Sequence, residues 1–310
     1  MSLTIKIGSR KSRLALFQSE VVRSKIESLG FKAIIVTFDT KGDQKLDVAL
    51  HKIGDKGLFT AELEAALLTG EIDFAVHSLK DLPTQEQNNL KVAALLKRED
   101  PSDCLIMNDE LDGIKGVEDL PLNAKVGTSS LRRIIQLQQI RPDLSFHPLR
   151  GNIETRIAKI KSGEGSICAG VLATAGLKRL NLLESSKALP LSPTKFIPAA
   201  GQGAIAVQGN QNLYNQRTDL MQCLQELNSE ECEKMVTCER TVLKAIEGGC
   251  QTPFGAYAES TSEGIKILTI IGSPDLKSIY CREKILTLGD EVREAFELGL
   301  ELKRLINLSG

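Results

Sequence analysis

Residues 4–38 read TIKIGSRKSRLALFQSEVVRSKIESLGFKAIIVTF. TIKIG (4–8) alternates polar and apolar side chains, the period of a half-buried strand. SRLALFQSEVVRSKIESLG (12–30) is amphipathic at helical spacing and closes on Gly30, which accepts the left-handed backbone that stops a helix. AIIVTF (33–38) is apolar and β-branched, the composition of a second strand. Strand, helix and strand in close succession predict a mostly parallel sheet covered by helices.

The pattern continues outward from there. LFTAELEAALLTG (58–70) predicts a helix with Thr60 as its N-cap and Gly70 beyond its end. DFAVHS (73–78) and KVAALL (91–96) predict strands. A second unit of the same style starts near DPSDCLIM (100–107). It runs through strand AKVGT, helix SLRRIIQLQQI stopped by Pro142, strand SFHPL, helix IETRIAKIK and strand ICAGVLA. The proline-punctuated LPLSPTKFIPAAGQG (189–203) leads to one more strand, AIAVQ, placed to return to the first sheet. After about residue 218 a long helix, three strands and a terminal helix follow, the order of a small α+β domain. The expected domains are 1–98 with 196–217, then 99–195, then 218–310.

Composition narrows the function classes. The chain has 310 residues, 42% hydrophobic and 25% charged, as in ordinary globular proteins, enough for two or three domains. Net charge is −1, so no global basic field points to nucleic acid, and any anion site must be a local concentration of cations. No apolar run approaches the ~20 residues needed to span a bilayer. The N-terminus moves directly into a strand without the apolar core of a signal peptide, and the cytoplasm is the expected location. Seven cysteines, none in a CxxC, and three histidines make a disulfide framework or a zinc site unexpected.

Polar clusters follow several strands. Ser9, Arg10, Lys11, Ser12 and Arg13 follow TIKIG, and Lys80 and Asp81 follow DFAVHS. Thr128, Ser129, Ser130, Arg132 and Arg133 follow AKVG. Arg150, Gly151 and Asn152 follow SFHPL, with Arg156 in the next helix. Open α/β sheets bind ligands beyond the carboxyl ends of their strands, where helix N-termini, hydroxyls and forked guanidiniums all donate to anions. One such cluster reads as solvated surface; four at four strand exits read as a cleft for a polyanion, a polycarboxylate by preference. Adjacent residues diverge by ~100° on a helix, so Arg132 and Arg133 are not both expected to face the cleft unless the helix start is irregular. Asp81 is a single acid among cations, which keep it ionised; its ordinary role is a cap or ion pair, its catalytic role stabilisation of developing positive charge. EGGCQTP (247–253) sets Cys250 on a constrained loop, as an idle thiol, a nucleophile or an attachment point.

These residues carry a resemblance. IGSRKSRLAL, KGDQKLD, GDKGLFTAELEAALL, DFAVHSLKDLPT, REDPSDCLI, VGTSSLRR, LRGNIETR, ATAGLKRL, IPAAGQGAIAVQ and IEGGCQ occur in that order over essentially the whole chain. The sequence resembles the porphobilinogen deaminase (hydroxymethylbilane synthase) family. The resemblance implies an α/β fold of two lobes like those of type II periplasmic binding proteins, with mixed, mostly parallel sheets, plus a small C-terminal α+β domain. It implies a covalent dipyrromethane on Cys250 through a thioether, four porphobilinogens joined to it head to tail with loss of ammonia, and hydrolytic release of 1-hydroxymethylbilane. Asp81 matches the catalytic acid, with Lys80 and Phe59 beside it. Arg10, Ser12, Thr128, Ser129, Arg132, Arg133, Arg150, Gly151 and Arg156 match the residues that bind the cofactor and substrate carboxylates. Arg179 and Gln202 are further substrate-binding candidates, and Lys52 and Lys56 belong to a mobile loop. Hinge movement is expected near residues 98–102 and 193–198. The resemblance further implies a monomer without metal, membrane or nucleic-acid partner.

Three positions depart from the family pattern: Arg13 after Ser12, Asp55 in Gly54-Asp55-Lys56-Gly57, and Cys168 where relatives commonly carry an aspartate. A non-catalytic polycarboxylate-binding protein of the periplasmic type explains the cationic strand ends equally well, but gives Asp81 and GGCQ no task.

Overall fold

The computed structural model describes residues 4–40, 60–85, 89–249 and 252–307. Its first elements are β1 (Thr4–Arg10), α1 (Arg13–Ser28), β2 (Lys32–Phe38), α2 (Ala61–Thr69), β3 (Phe74–Ser78) and β4 (Leu90–Leu95). Next come β5 (Asp103–Met107), β6 (Lys125–Gly127), α3 (Leu131–Ile140), β7 (Ser145–His147), α4 (Ile153–Lys161), β8 (Ala169–Ala173), α5 (Thr174–Arg179) and β9 (Leu189–Pro190). The chain ends with β10 (Ile205–Asn210), α6 (Gln211–Tyr214), α7 (Thr218–Leu227), α8 (Glu230–Ala245), β11 (Phe254–Thr261), β12 (Gly264–Gly272), β13 (Ile279–Leu286) and α9 (Glu291–Asn307). Two compact units result: Met1–Glu99 with Gly203–Lys234, and Asp100–Gln202 with Met235–Gly310.

In the first unit the sheet order is β2-β1-β3-β10-β4. β1 runs parallel to β2 and β3, while β10 lies antiparallel between β3 and β4. The late strand therefore does return to the first sheet, which makes that sheet mixed. Strand alternation sends Ile5, Ile7, Phe74 and Val76 to one face, where Val22 and Ile26 of α1 and Leu220 and Leu224 of α7 cover them. The other face is closed by Leu63 and Leu67 of α2 against Ile72 and Ala75. Thr60 stands at the N-cap of α2, but its side chain makes no capping bond. Its ψ of −20° departs from the extended backbone that aims a capping oxygen at the first turn. Gly70 closes the helix at φ 74°, as its sequence position predicts.

The second unit holds two sheets. One has the order β7-β6-β8-β5-β9, with β6 parallel to β7 and β8 and β5 antiparallel to β8 and β9. The other is the antiparallel β11-β12-β13, backed by α8 and α9 through Cys238, Val242, Leu298 and Leu302. Ile135 of α3 packs with Ile197, Leu268 and Ile270, and Leu137 of the same helix with Leu105 and Val126, so α3 is fastened to both sheets of this unit. No described helix is long and apolar enough to cross a membrane.

Candidate functional site

In the first unit, β1 and β3 are parallel neighbours, so their carboxyl ends open on the same edge of the sheet. β1 ends on Arg10, and two residues later Ser12 caps α1 by accepting a hydrogen bond from the Ala15 amide at 3.3 Å. Acting as acceptor leaves the Ser12 hydroxyl proton to donate outward. β3 runs into one turn of 3₁₀ helix, Leu79–Asp81, whose Leu79 amide donates to the Ala204 carbonyl at 3.0 Å. Leu79 and Leu82 are buried and pin the turn at both ends. Between them Lys80 is half-buried and Asp81 is exposed. Gln18 of α1 donates to the Ser78 hydroxyl at 2.9 Å, tying the helix to the strand end that carries this pair.

His77 lies beneath that turn, buried, its pKa driven down to about 4 mainly by burial. A hydrogen bond with Gln208 favours its charged form, and the charge of Arg10 opposes it. Its Nε2 has no partner among the described residues. Phe59, Lys52, Lys56 and Cys250 lie outside the described residues.

In the second unit, β6, β7 and β8 are parallel and deliver their ends together. Thr128 is buried, its amide donating to the His147 carbonyl at 2.9 Å and its hydroxyl accepting from the Ser130 amide at 3.2 Å. Ser129 is exposed; its hydroxyl accepts from the Leu149 amide at 3.1 Å and stitches the β6 exit to the β7 exit. Arg150 and Gly151 are half-buried on the loop beyond β7. Gly151 has φ 113°, and a Cβ there would stand 2.8 Å from Thr155, so glycine is required. Asn152 caps α4 by accepting from the Thr155 amide at 2.8 Å, and Arg156 donates from Nε to the Gly151 carbonyl at 2.7 Å. Arg179, half-buried, ends α5.

Arg132 and Arg133 both turn inward from a regular helix start, with 4% and 7% exposure. Arg132 donates from Nη1 to Asp103 Oδ2 at 2.7 Å and to the Ile197 carbonyl at 2.7 Å. Arg133 donates from Nη2 to Asp103 Oδ1 at 2.7 Å and from Nη1 to the Val171 carbonyl at 2.7 Å. The ~100° divergence is overcome by the length of the side chains, which reach one carboxylate from two sides. Burial pushes the Asp103 carboxyl up, but the two guanidiniums outweigh it and hold the acid well below the usual range. Burial in turn lowers Arg132, with Asp103 opposing. Gln202, also buried, donates from Nε2 to Asp103 Oδ1 at 3.0 Å and to the Pro101 carbonyl at 2.7 Å. Sequence reasoning did not single out Asp103. Its signal was an acid heading the otherwise apolar strand DCLIM, where a buried charge demands a partner.

Among the described residues no cluster of His, Cys, Asp and Glu has the makings of a metal site, and all six described cysteines are free. Cys168 is half-buried, with its thiol pushed up by burial and its Sγ 3.4 Å from the Lys125 carbonyl.

Residues 5–218 match the family model for the porphobilinogen deaminase dipyromethane cofactor binding domain, and residues 234–307 match the porphobilinogen deaminase C-terminal domain. The porphobilinogen deaminase of Desulfitobacterium hafniense is 43% identical over 309 residues, covering 99% of this chain and 95% of that protein. That of Ruthia magnifica is 40% identical over 311 residues, with coverage of 99% and 97%. Among solved structures, a YaeC-family lipoprotein of Enterococcus faecalis aligns over 79% of this chain and 97% of its own, at 15% identity and a TM-score of 0.44. With strand-end cations, the Lys80–Asp81 turn and both family domains in sequence order, the chain belongs to the porphobilinogen deaminase family.

Proposed function

We propose that this chain is the transferase that deaminates porphobilinogen, joins four molecules head to tail, and releases 1-hydroxymethylbilane. The observation that carries the reading is the Leu79–Asp81 turn: one exposed acid fixed between two buried leucines, at the sheet edge where Arg10 also ends its strand. Pyrrole side chains are carboxylates, and the donors suit them. Ser12 retains a hydroxyl proton, and Nε of Arg133 is a buried N–H with no acceptor among the described residues. These donors fit a dipyrromethane, which Cys250 would hold and Arg10, Ser12, Thr128, Ser129, Arg132, Arg133, Arg150, Gly151 and Arg156 would orient. When bound, that group supplies the pyrrole carbon on which the chain starts.

Each residue then has a task. Asp81, beside Lys80, accepts from pyrrole N–H groups and stabilises the positive charge that develops as ammonia leaves. The arginines hold the acetate and propionate groups, with Arg179 as a further candidate for the growing chain; Gln202, expected beside it, is instead buried with its amide spent on Asp103 and Pro101. Phe59, Lys52 and Lys56 enter only through the family resemblance, which would give Phe59 a role at the reacting ring and the two lysines a role in a nearby loop. A non-catalytic polycarboxylate binder uses the same cations but leaves the Lys80–Asp81 turn without work. The chain works as a monomer in the cytoplasm, which sedimentation and fractionation check. Asp81→Ala should keep the primer on intact-mass analysis while kcat falls about 10²–10³-fold; wild-type turnover in that variant removes Asp81 from the chemistry.

A further inference from the structure

The guanidiniums of Arg132 and Arg133 are two like charges in a nearly dry environment, and neither is loose. Asp103, wholly buried, gives one oxygen to each at 2.7 Å. The carbonyls of Ile197 and Val171 each take a further N–H at 2.7 Å, and the Gln202 amide holds Asp103 Oδ1 from the other side at 3.0 Å. One negative charge against two positive leaves the group with a surplus positive charge. It also leaves specific donors open: Nε and Nη2 of Arg132 and Nε of Arg133 have no acceptor among the described residues. A guanidinium pinned through one edge of its fork presents the remaining edge in a fixed direction, so a carboxylate meets donors that need no reordering.

We propose that Asp103 is a positioning residue: together with Gln202 it sets Arg132 and Arg133 in their ligand-binding geometry before any pyrrole carboxylate arrives. The inference rests on the reading of those arginines as carboxylate binders. A purely structural ion pair makes a different prediction, since it affects folding and leaves binding constants alone.

The test compares the full chain with Asp103→Glu and Asp103→Asn, reading thermal unfolding, primer mass, and KM and kcat for porphobilinogen. Asp103→Glu keeps the charge and moves the oxygens by one methylene. Positioning predicts a folded protein whose primer occupancy falls or whose KM rises roughly tenfold or more, because ångström-scale misplacement of a binding group is costly. Asp103→Asn, with the charge gone, should lose more of both. A folded variant with wild-type occupancy and wild-type KM overturns the proposal. Should neither variant fold, a crystal structure of the primer-free Cys250→Ser chain decides. Guanidiniums already seated on Asp103, where the primed form has them, support pre-setting; guanidiniums that are ordered only in the primed form refute it. If the wild-type chain neither carries a pyrrole nor consumes porphobilinogen, the proposed function fails, whatever the Asp103 variants do.

Discussion

His77 sits under the strand end that presents Lys80 and Asp81, and its buried imidazole is neutral at physiological pH. Unfolding returns it to a pKa near 6.5, whereas the folded chain holds it at about 4. Between those values the unfolded state binds the extra proton, so this stability contribution is present above about pH 6.5 and is lost as pH falls towards 4. The loss amounts to about 3 kcal/mol across the window. Urea unfolding of the wild type from pH 7 to 4.5 should show that slope, and His77→Gln should flatten it; an unchanged slope in the variant assigns the proton elsewhere. Asp103 acts in a more acid window. Its folded pKa is depressed, so its contribution is held above the ordinary carboxylate range and lost only as pH falls below about 4. At this scale the cations were legible because each follows a strand at a countable distance. Asp103 was not, because an isolated aspartate reads as solvated until the strand that carries it is seen to be buried on both faces.

Two elements carry predictions through their backbone contacts. Ser12 is both the cap of α1 and a proposed carboxylate donor. Ser12→Ala should cost about 1 kcal/mol in unfolding free energy and also raise KM; a change in stability alone confines Ser12 to capping. Gly255 on β11 lies where an added Cβ would stand 2.9 Å from the carbonyl oxygens of both Ile197 and Pro198. Gly255→Ala should lower stability by about 1–3 kcal/mol in thermal or urea unfolding, since backbone cannot move aside as a side chain tip can. A neutral result would mean that residues 197–198 relax. Strands and helices with clear alternation were legible in outline. The destination of α7 was not: the sequence reading starts a third domain at 218, yet Leu220, Cys223, Leu224 and Leu227 of α7 seat on the first sheet's core. The Leu95 amide donates to Asn228 Oδ1 at 2.8 Å, and the Ser229 amide donates to the Leu95 carbonyl at 2.7 Å, which holds the chain there. An apolar stripe shows that a helix has a partner; only tertiary structure shows which one.

The chain passes between its two units at residues 99–100, 202–203 and 234–235. Just before the second passage, buried Glu239 accepts from the Gly201 amide at 2.7 Å and from the Ala258 amide at 2.9 Å, fastening that segment to the third sheet. Glu239→Ala leaves two buried donors unpaired and should cost about 1–3 kcal/mol for each, read in urea unfolding. The α/β class and the return of the late strand were readable from pattern and order, because strand and helix periods differ. The one reversed strand of each large sheet, β10 in the first and β5 in the second, was not, because strand direction follows from where the chain re-enters rather than from local composition. The central claim concerns a primer attached through Cys250 and steered by guanidiniums towards Asp81. Mass measurement of the denatured, catalytically active protein tests it most directly. The account predicts a mass above that of the polypeptide by one dipyrromethane, abolished in Cys250→Ser; active protein at the bare polypeptide mass would contradict it.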